Sequence, residues 1–292
     1  MKYAAIDSHC HLQLAAYDLD REAVMRKCRD SGIGVIIVGT NKETSTAAVR
    51  LAESHPDGVW ASIAVHPGHV HAPHHDPQEM ASAPKEEFFD EEYFAALADS
   101  PKVVAIGETG LDYYRLAEPP GNPVASIKKH QQENFLRHIA FAKKRGLPLI
   151  LHVRDNGGGE AYDDTLAILE QEKYFNGVMH CFGGNVDIAK KCAGLGLYLG
   201  IGGIITYPPR KGQSGNPLIE VARTLPLDKL LLETDAPYIS PAPLRGERNE
   251  PVNVLITGEK MAMIRADSVE NILSATANNA VRLFNLASSQ KP

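Results

Sequence analysis

Eight short apolar runs, each followed by a longer stretch with helical patterning, constrain the fold of this chain more than any other feature. They cover residues 3–8, 35–39, 60–65, 103–107, 147–151, 178–180, 197–201 and 229–232. Most are rich in Leu and β-branched residues, as suits parallel strands buried on both faces. Eight such strands, each followed by a helix, predict a closed (β/α)8 TIM-type barrel of the α/β class. The length of 292 residues fits one barrel of roughly 250 residues with insertions, so a single domain over 1–292 is expected. No G-x-G-x-x-G follows the first run, which weighs against a doubly wound sheet.

The helical stretches carry their own stops. In 130–145, Phe135, Ile139 and Ala142 share a face, and Gly146 with Pro148 ends the helix. In 20–31, Asp20 is placed to cap the start and Gly32 the end. A last helix over about 268–286 is expected on the outside of the barrel. Two stretches break the rhythm, an inserted loop over about 67–90 and a Pro/Gly-rich one over 116–124. Both follow strands, and so belong on the face where barrel active sites form. His69, His71, His74 and His75 in the first read as a solvated loop in preference to a metal tract.

Composition excludes several functions. Thirty basic and 36 acidic residues leave a net charge of −6, so no global positive field draws in a polyanion, and any nucleic-acid binding must be local. The cysteines at 10, 28, 181 and 192 form no C-x-x-C pair and read as reduced thiols of a cytoplasmic protein. The N-terminus meets a charge before a signal-peptide core develops, and the longest uncharged run is too short and too broken to span a bilayer. No membrane partner is expected, and a monomer is.

Six side chains at the trailing ends of five of the runs are candidate metal ligands: His9 and His11, Glu108, His152, His180 and Asp235. His9 and His11 are two apart on an extended segment and share a side. In a barrel the carboxyl ends of all strands converge on one mouth, so these residues meet whatever their distance in sequence. The mixed N/O set suits divalent transition metals. Glu108 can bridge two cations, with His9, His11 and Asp235 on one and His152 and His180 on the other. A pair of divalent ions (Mg, Mn or Zn) about 3.5 to 4 Å apart suits hydrolysis, with Glu108 and Asp235 as the catalytic carboxylates and Asp235 as general base.

The chain also resembles the TatD-like metal-dependent hydrolases of the amidohydrolase superfamily. The resemblance rests on Asp7-Ser8-His9-Cys10-His11-Leu12, Ala64-Val65-His66-Pro67-Gly68, Ile106 through Tyr114, Leu151-His152-Val153-Arg154-Asp155, His180-Cys181-Phe182-Gly183-Gly184, Glu233 through Tyr238, and Arg245 through Pro251. It implies a TIM-type barrel, a dinuclear divalent-metal site and, for several members, deoxyribonuclease activity often directed from the 3′ end. Glu108 stands where many superfamily relatives carry a carbamylated lysine. Val153 and Gly183 stand where the family often has Ser, which alters hydroxyl contacts and no ligand.

Four further residues are expected to contact substrate: His66, Arg154, Tyr113 and Arg248. His66 ends the third run and either contacts a phosphate or braces the turn at Pro67. Arg154 offers a bidentate phosphate contact or pairs with Asp155 or Glu108. Tyr113 offers a stacking platform or packs in the core. Arg248 lies in a polar loop after the eighth run, as a phosphate contact or a clasp over the rim. The expected substrate is DNA or another phosphodiester. A small-molecule ester, amide or phosphate ester is the alternative, and a noncatalytic binding protein a third.

Overall fold

The computed structural model describes residues 3–71, 78, 85–116, 124–209 and 215–286. Its strands are β1 (Ala5–Cys10), β2 (Ile33–Val38), β3 (Val59–Ile63), β4 (Val103–Asp112), β5 (Leu149–Arg154), β6 (Gly177–Met179), β7 (Tyr198–Ile201) and β8 (Leu230–Leu232). Each pairs in parallel with the next, in the order β1 through β8. Beyond β8 the chain returns to β1: Asp235 N–H donates to His9 O at 2.9 Å and His11 N–H to Ala236 O at 2.7 Å. That closes the (β/α)8 barrel.

Between the strands run α1 (Arg21–Asp30), α2 (Lys42–Glu53), α3 (Glu91–Ala98), α4 (Val124–Arg145), α5 (Glu160–Glu172), α6 (Val186–Gly194) and α7 (Pro217–Thr224). Two helices, α8 (Val254–Arg265) and α9 (Val269–Leu283), follow β8. Asn41 caps α2 by accepting from Thr44 N–H, and Ser268 caps α9 by accepting from Asn271 N–H. Asp20 stands at the start of α1 but makes no side-chain cap, because its carboxylate is taken by Arg248.

Two buried clusters follow from strand alternation. The larger packs outward residues such as Val35, Ile37, Val103, Leu149 and Leu199 against helix residues such as Phe94, Phe135 and Leu169. The smaller unites Ile6, Ile36, Val104, Ile150, Val178, Tyr198 and Leu231. One residue from each of seven strands can meet only inside the barrel. Ala277, Ala280, Leu283 and Phe284 join that interior cluster, and α9 lies against the first and last strands, β1 and β8. The expected last helix is thus α9, packed along the seam between β8 and β1.

The interior cluster also aims the site. His152 follows Ile150 by two residues, His180 follows Val178 by two, and Glu108 and Asp235 follow Val104 and Leu231 by four. Period-two alternation points His152 and His180 inward, one layer above the core, whereas Glu108 follows a register shift after Ile106 and Asp235 lies past the end of β8 with a φ of +59°. β1 needs one more device. Its pairing with β2 shifts register between Asp7 and Cys10, which turns His9 and His11 inward although Ile6 also points in.

Candidate metal centre

His9, His11, Glu108, His152, His180 and Asp235 converge at the carboxyl ends of the strands. His9 and His11 present their Nε2 atoms 3.1 Å apart. Glu108 Oε2 lies 3.4 Å from His9 Nε2 and 3.8 Å from His11 Nε2. Asp235 Oδ1 lies 3.6 and 3.4 Å from the same two nitrogens. The other carboxylate oxygen, Glu108 Oε1, faces a different set: His152 Nδ1 at 2.6 Å, His180 Nε2 at 2.9 Å and His66 Nε2 at 3.5 Å. One carboxylate thus addresses two clusters of imidazoles, one oxygen to each.

These separations suit cation binding. Two ligand atoms about 2.0–2.1 Å from a tetrahedral ion lie about 3.3 Å apart, the range seen here. Three overlapping sets of donor atoms meet the requirement for a shared ion: His9, His11 and Asp235; His9, Glu108 and His180; and His66, Glu108 and His152. The nitrogens that face the centre are Nε2 of both His9 and His180, while their buried Nδ1 atoms make no hydrogen bond of good geometry among the described residues.

Each imidazole is turned toward the centre by what lies behind it. His11 Nδ1–H donates to Val38 O at 2.7 Å, which turns Nε2 toward the centre and Asp235. His152 does the reverse: its Nε2–H donates to Asp112 Oδ2 at 3.0 Å and its Nδ1 faces Glu108. Asp112 was not singled out from the sequence as a site residue, although it lies within a quoted motif. The signal lay in the length of β4, which continues past Glu108 and places Asp112 opposite Arg154.

Electrostatics follow from crowding these groups in a dry mouth. Burial alone would raise the Glu108 carboxyl, but the imidazoles of His180, His66 and His9 outweigh it and hold it well below the usual carboxylate range. Asp235 behaves likewise, held down against burial by its hydrogen bond from His11 and by His180 and His9. Burial would lower His152, but hydrogen bonds to Asp112 and Glu108 push it up to about 9. Burial and the neighbouring His180 lower His9. Ionised carboxylates among imidazoles are the donor set a divalent cation takes up by displacing protons.

The chain matches the family described as "TatD related DNase" over residues 6–285. The chain belongs to the TatD family. It is 35% identical over 283 residues to the uncharacterized metal-dependent hydrolase YabD of Bacillus subtilis, covering 96% of this chain and 98% of that one. It is 34% identical over 287 residues to the 3′-5′ ssDNA/RNA exonuclease TatD of Erwinia tasmaniensis, covering 96% and 99%. The crystal structure of YJJV, a TatD homolog from Escherichia coli K12, superposes with a TM-score of 0.80 at 28% identity, over 98% of this chain and 99% of that one.

Around this TatD centre the four expected substrate contacts divide. His66 lies at the mouth: its Nδ1 accepts from Gly68 N–H at 3.0 Å, so the neutral ring carries its proton on Nε2. Burial, with His152 beside it, lowers His66 and keeps it neutral. Arg154 is exposed, and its guanidinium stands 4.1 Å from the Tyr114 ring centre. Asp155 does not pair with it, because its carboxylate accepts N–H bonds from Gly157, Gly159 and Ala161 at the start of α5.

Tyr113 and Arg248 are engaged elsewhere. Tyr113 is buried, and its hydroxyl donates to Asp164 while accepting from Gln132. Arg248 grips both Asp20 oxygens and Ala16 O and lies over the Tyr17 ring. Both brace the frame, so neither is carried into the proposed substrate site. His74 and His75 lie outside the described residues.

Proposed function

We propose that this TatD protein is a metal-dependent phosphodiesterase that removes nucleotides from the end of single-stranded nucleic acid, using two divalent cations. The observation that carries this is the split carboxylate of Glu108: Oε2 turned to His9 and His11, Oε1 to His152 and His180. His9, His11 and Asp235 would hold one ion and His152 and His180 the other, with Glu108 offering an oxygen toward each. When bound, such ions activate a water and neutralise charge on the phosphate. The substrate class is that of the Erwinia relative, a 3′-5′ ssDNA/RNA exonuclease.

The remaining steps belong to the chain's own side chains. Asp235 is ionised in a buried setting and accepts the proton of the attacking water. His66 Nε2–H is a neutral donor at the mouth, suited to a phosphate oxygen. The Arg154 guanidinium, 4.1 Å from the Tyr114 ring centre and free of carboxylates among the described residues, offers a paired hydrogen bond to a second phosphate. Nonpolar walls below, from Val104, Ile150 and Leu231, keep bulk water from beneath the reacting group.

The test is hydrolysis of end-labelled single-stranded DNA and RNA by metal-stripped protein restored with Mg, Mn or Zn. Stepwise shortening that requires the ion and disappears in Asp235→Asn is the expected result. Absence of cleavage from protein loaded with two equivalents overturns the nuclease reading and directs the search to small esters and amides.

A further inference from the structure

Glu233 is a fully buried carboxylate directly behind the centre. Its Oε1 accepts the N–H of Cys181 and lies 3.5 Å from His180 Nδ1, at the outer limit of hydrogen-bond reach. Its Oε2 has no hydrogen-bond partner among the described residues. Burying a carboxylate in this way is costly unless a charged or strongly donating group answers it. The nearby carboxylate of Asp7 is answered differently, by Thr234 N–H, Thr234 Oγ1–H and His9 N–H. For Glu233 the side-chain donor within reach is the His180 imidazole.

The barrel makes deliberate room for this group. A Cβ on Gly200 of β7 would sit 2.1 Å from Glu233 Oε2 and 2.6 Å from its Cδ, so any larger residue there would displace the carboxylate. Gly200 is not in a left-handed conformation. Its lack of a side chain serves space alone. His180, for its part, aims Nε2 at Glu108 Oε1 and stacks on His9 with ring centres 3.8 Å apart. Its remaining nitrogen points at Glu233.

We propose that Glu233 is a positioning residue for cation binding: it orients His180 through Nδ1, so that Nε2 faces the ion shared with Glu108 and His152, while Gly200 keeps the space it needs. This rests on the two-cation reading above. It parallels the Asp112–His152 and Val38–His11 pairs, so each of three imidazoles has an acceptor on its outer nitrogen. Such outer partners commonly set metal affinity as well as ring orientation.

The experiment is titration of metal-stripped protein with Mn or Zn against a fluorescent chelator, alongside thermal unfolding. Glu233→Gln keeps an acceptor for Cys181 N–H and removes the charge. It should unfold at nearly the wild-type temperature yet bind one of its two ions ~10- to 100-fold more weakly. Combined with His180→Ala, the same change should have no further effect on affinity, because Glu233 acts through His180. A residue that merely supported the loop after β6 would instead lower stability in both backgrounds.

Equal affinities in wild type and Glu233→Gln, or fully additive losses in the double variant, overturn the proposal. Should Glu233→Gln fail to fold, Glu233→Asp, which withdraws the carboxylate by one carbon, gives the same two readouts. A wild-type protein that takes up no cation overturns the two-cation reading itself. An ion-binding protein with no nuclease activity overturns only the substrate assignment, and leaves the Glu233 result standing.

Discussion

Arg154 and His138 show how differently two basic side chains are used. Arg154 is exposed, has no carboxylate partner among the described residues and lies against Tyr114; removing it costs the fold little. If it grips a phosphate, Arg154→Ala loses a charge-assisted hydrogen bond worth ~1.5–3 kcal/mol, which raises KM for an oligonucleotide about 10- to 100-fold. Steady-state kinetics should show that rise with kcat and melting temperature nearly unchanged, and an unchanged KM removes Arg154 from the substrate site. His138 is the opposite case. It is fully buried in α4, donates from Nδ1 to Asn134 O at 2.7 Å and accepts Val65 N–H on Nε2 at 3.0 Å. Burial pushes it down to about 3, below the unfolded value of about 6.5. The unfolded chain therefore takes up the proton first. The stability His138 confers is complete above about pH 6.5 and is lost as pH falls toward 3, by up to about 1.4 kcal/mol per pH unit. Urea unfolding between about pH 7 and 5 should show a slope for His138→Gln that is shallower by up to one proton; parallel slopes would refute this assignment. Neither the burial of His138 nor the tether it makes to the end of β3 was legible in the sequence, where it reads as one more polar helix residue.

Strands and helices account for why the six ligands were legible and their supporting partners were not. A ligand two or four residues past an interior Val, Ile or Leu is a local pattern, and Ile150–His152 and Val178–His180 display it within a single run. The partners sit across strands. Asp112 reaches His152 only because β4 continues, with a shifted register after Ile106, through Thr109, Gly110 and Leu111 beside β5; polar Glu108-Thr109-Gly110 reads as the end of a strand. Gly110 makes this possible. Its φ is +142°, and a Cβ there would lie 2.2 Å from His152 O. Gly110→Ala should therefore push the end of β5 away, lowering both stability and cation affinity. Phe284, after α9, gives the contrast: it is buried in the interior apolar cluster and belongs to none of the donor groups at the centre. Phe284→Ala should cost ~3–5 kcal/mol of stability and leave ion affinity at the wild-type value. Chemical unfolding and chelator competition on both variants check the pair, and a loss of affinity in Phe284→Ala would show that the apolar interior and the centre are coupled.

The five strands that carry the ligands, β1, β4, β5, β6 and β8, are held together from below by the interior cluster and from above by the centre. The barrel closes where the two overlap: Asp235 N–H to His9 O and His11 N–H to Ala236 O join ligand residues of the first and last strands. On the proposed reading, cations bound there would tie the seam and could not find the same donor set in an unfolded chain. The interior packing of Ile6, Ile36, Val104, Ile150, Val178 and Leu231 with α9 needs no ion, so the metal-stripped protein is expected to remain folded. Ions that bind the native state alone stabilise it by RT ln(1 + [L]/Kd), about 2.7 kcal/mol for each at a hundredfold excess over Kd. For a chain of this size each kcal/mol moves the melting temperature by roughly 2–4 °C. Thermal scans of stripped protein against rising Mn or Zn should therefore climb by several degrees with no plateau set by protein concentration. Urea m-values should stay constant, because the surface exposed on unfolding is the same. A stripped protein lacking the far-UV signature of the barrel would mean that the centre nucleates the fold. A melting temperature indifferent to ions would mean that the six converging side chains are held by the barrel for some purpose other than metal binding.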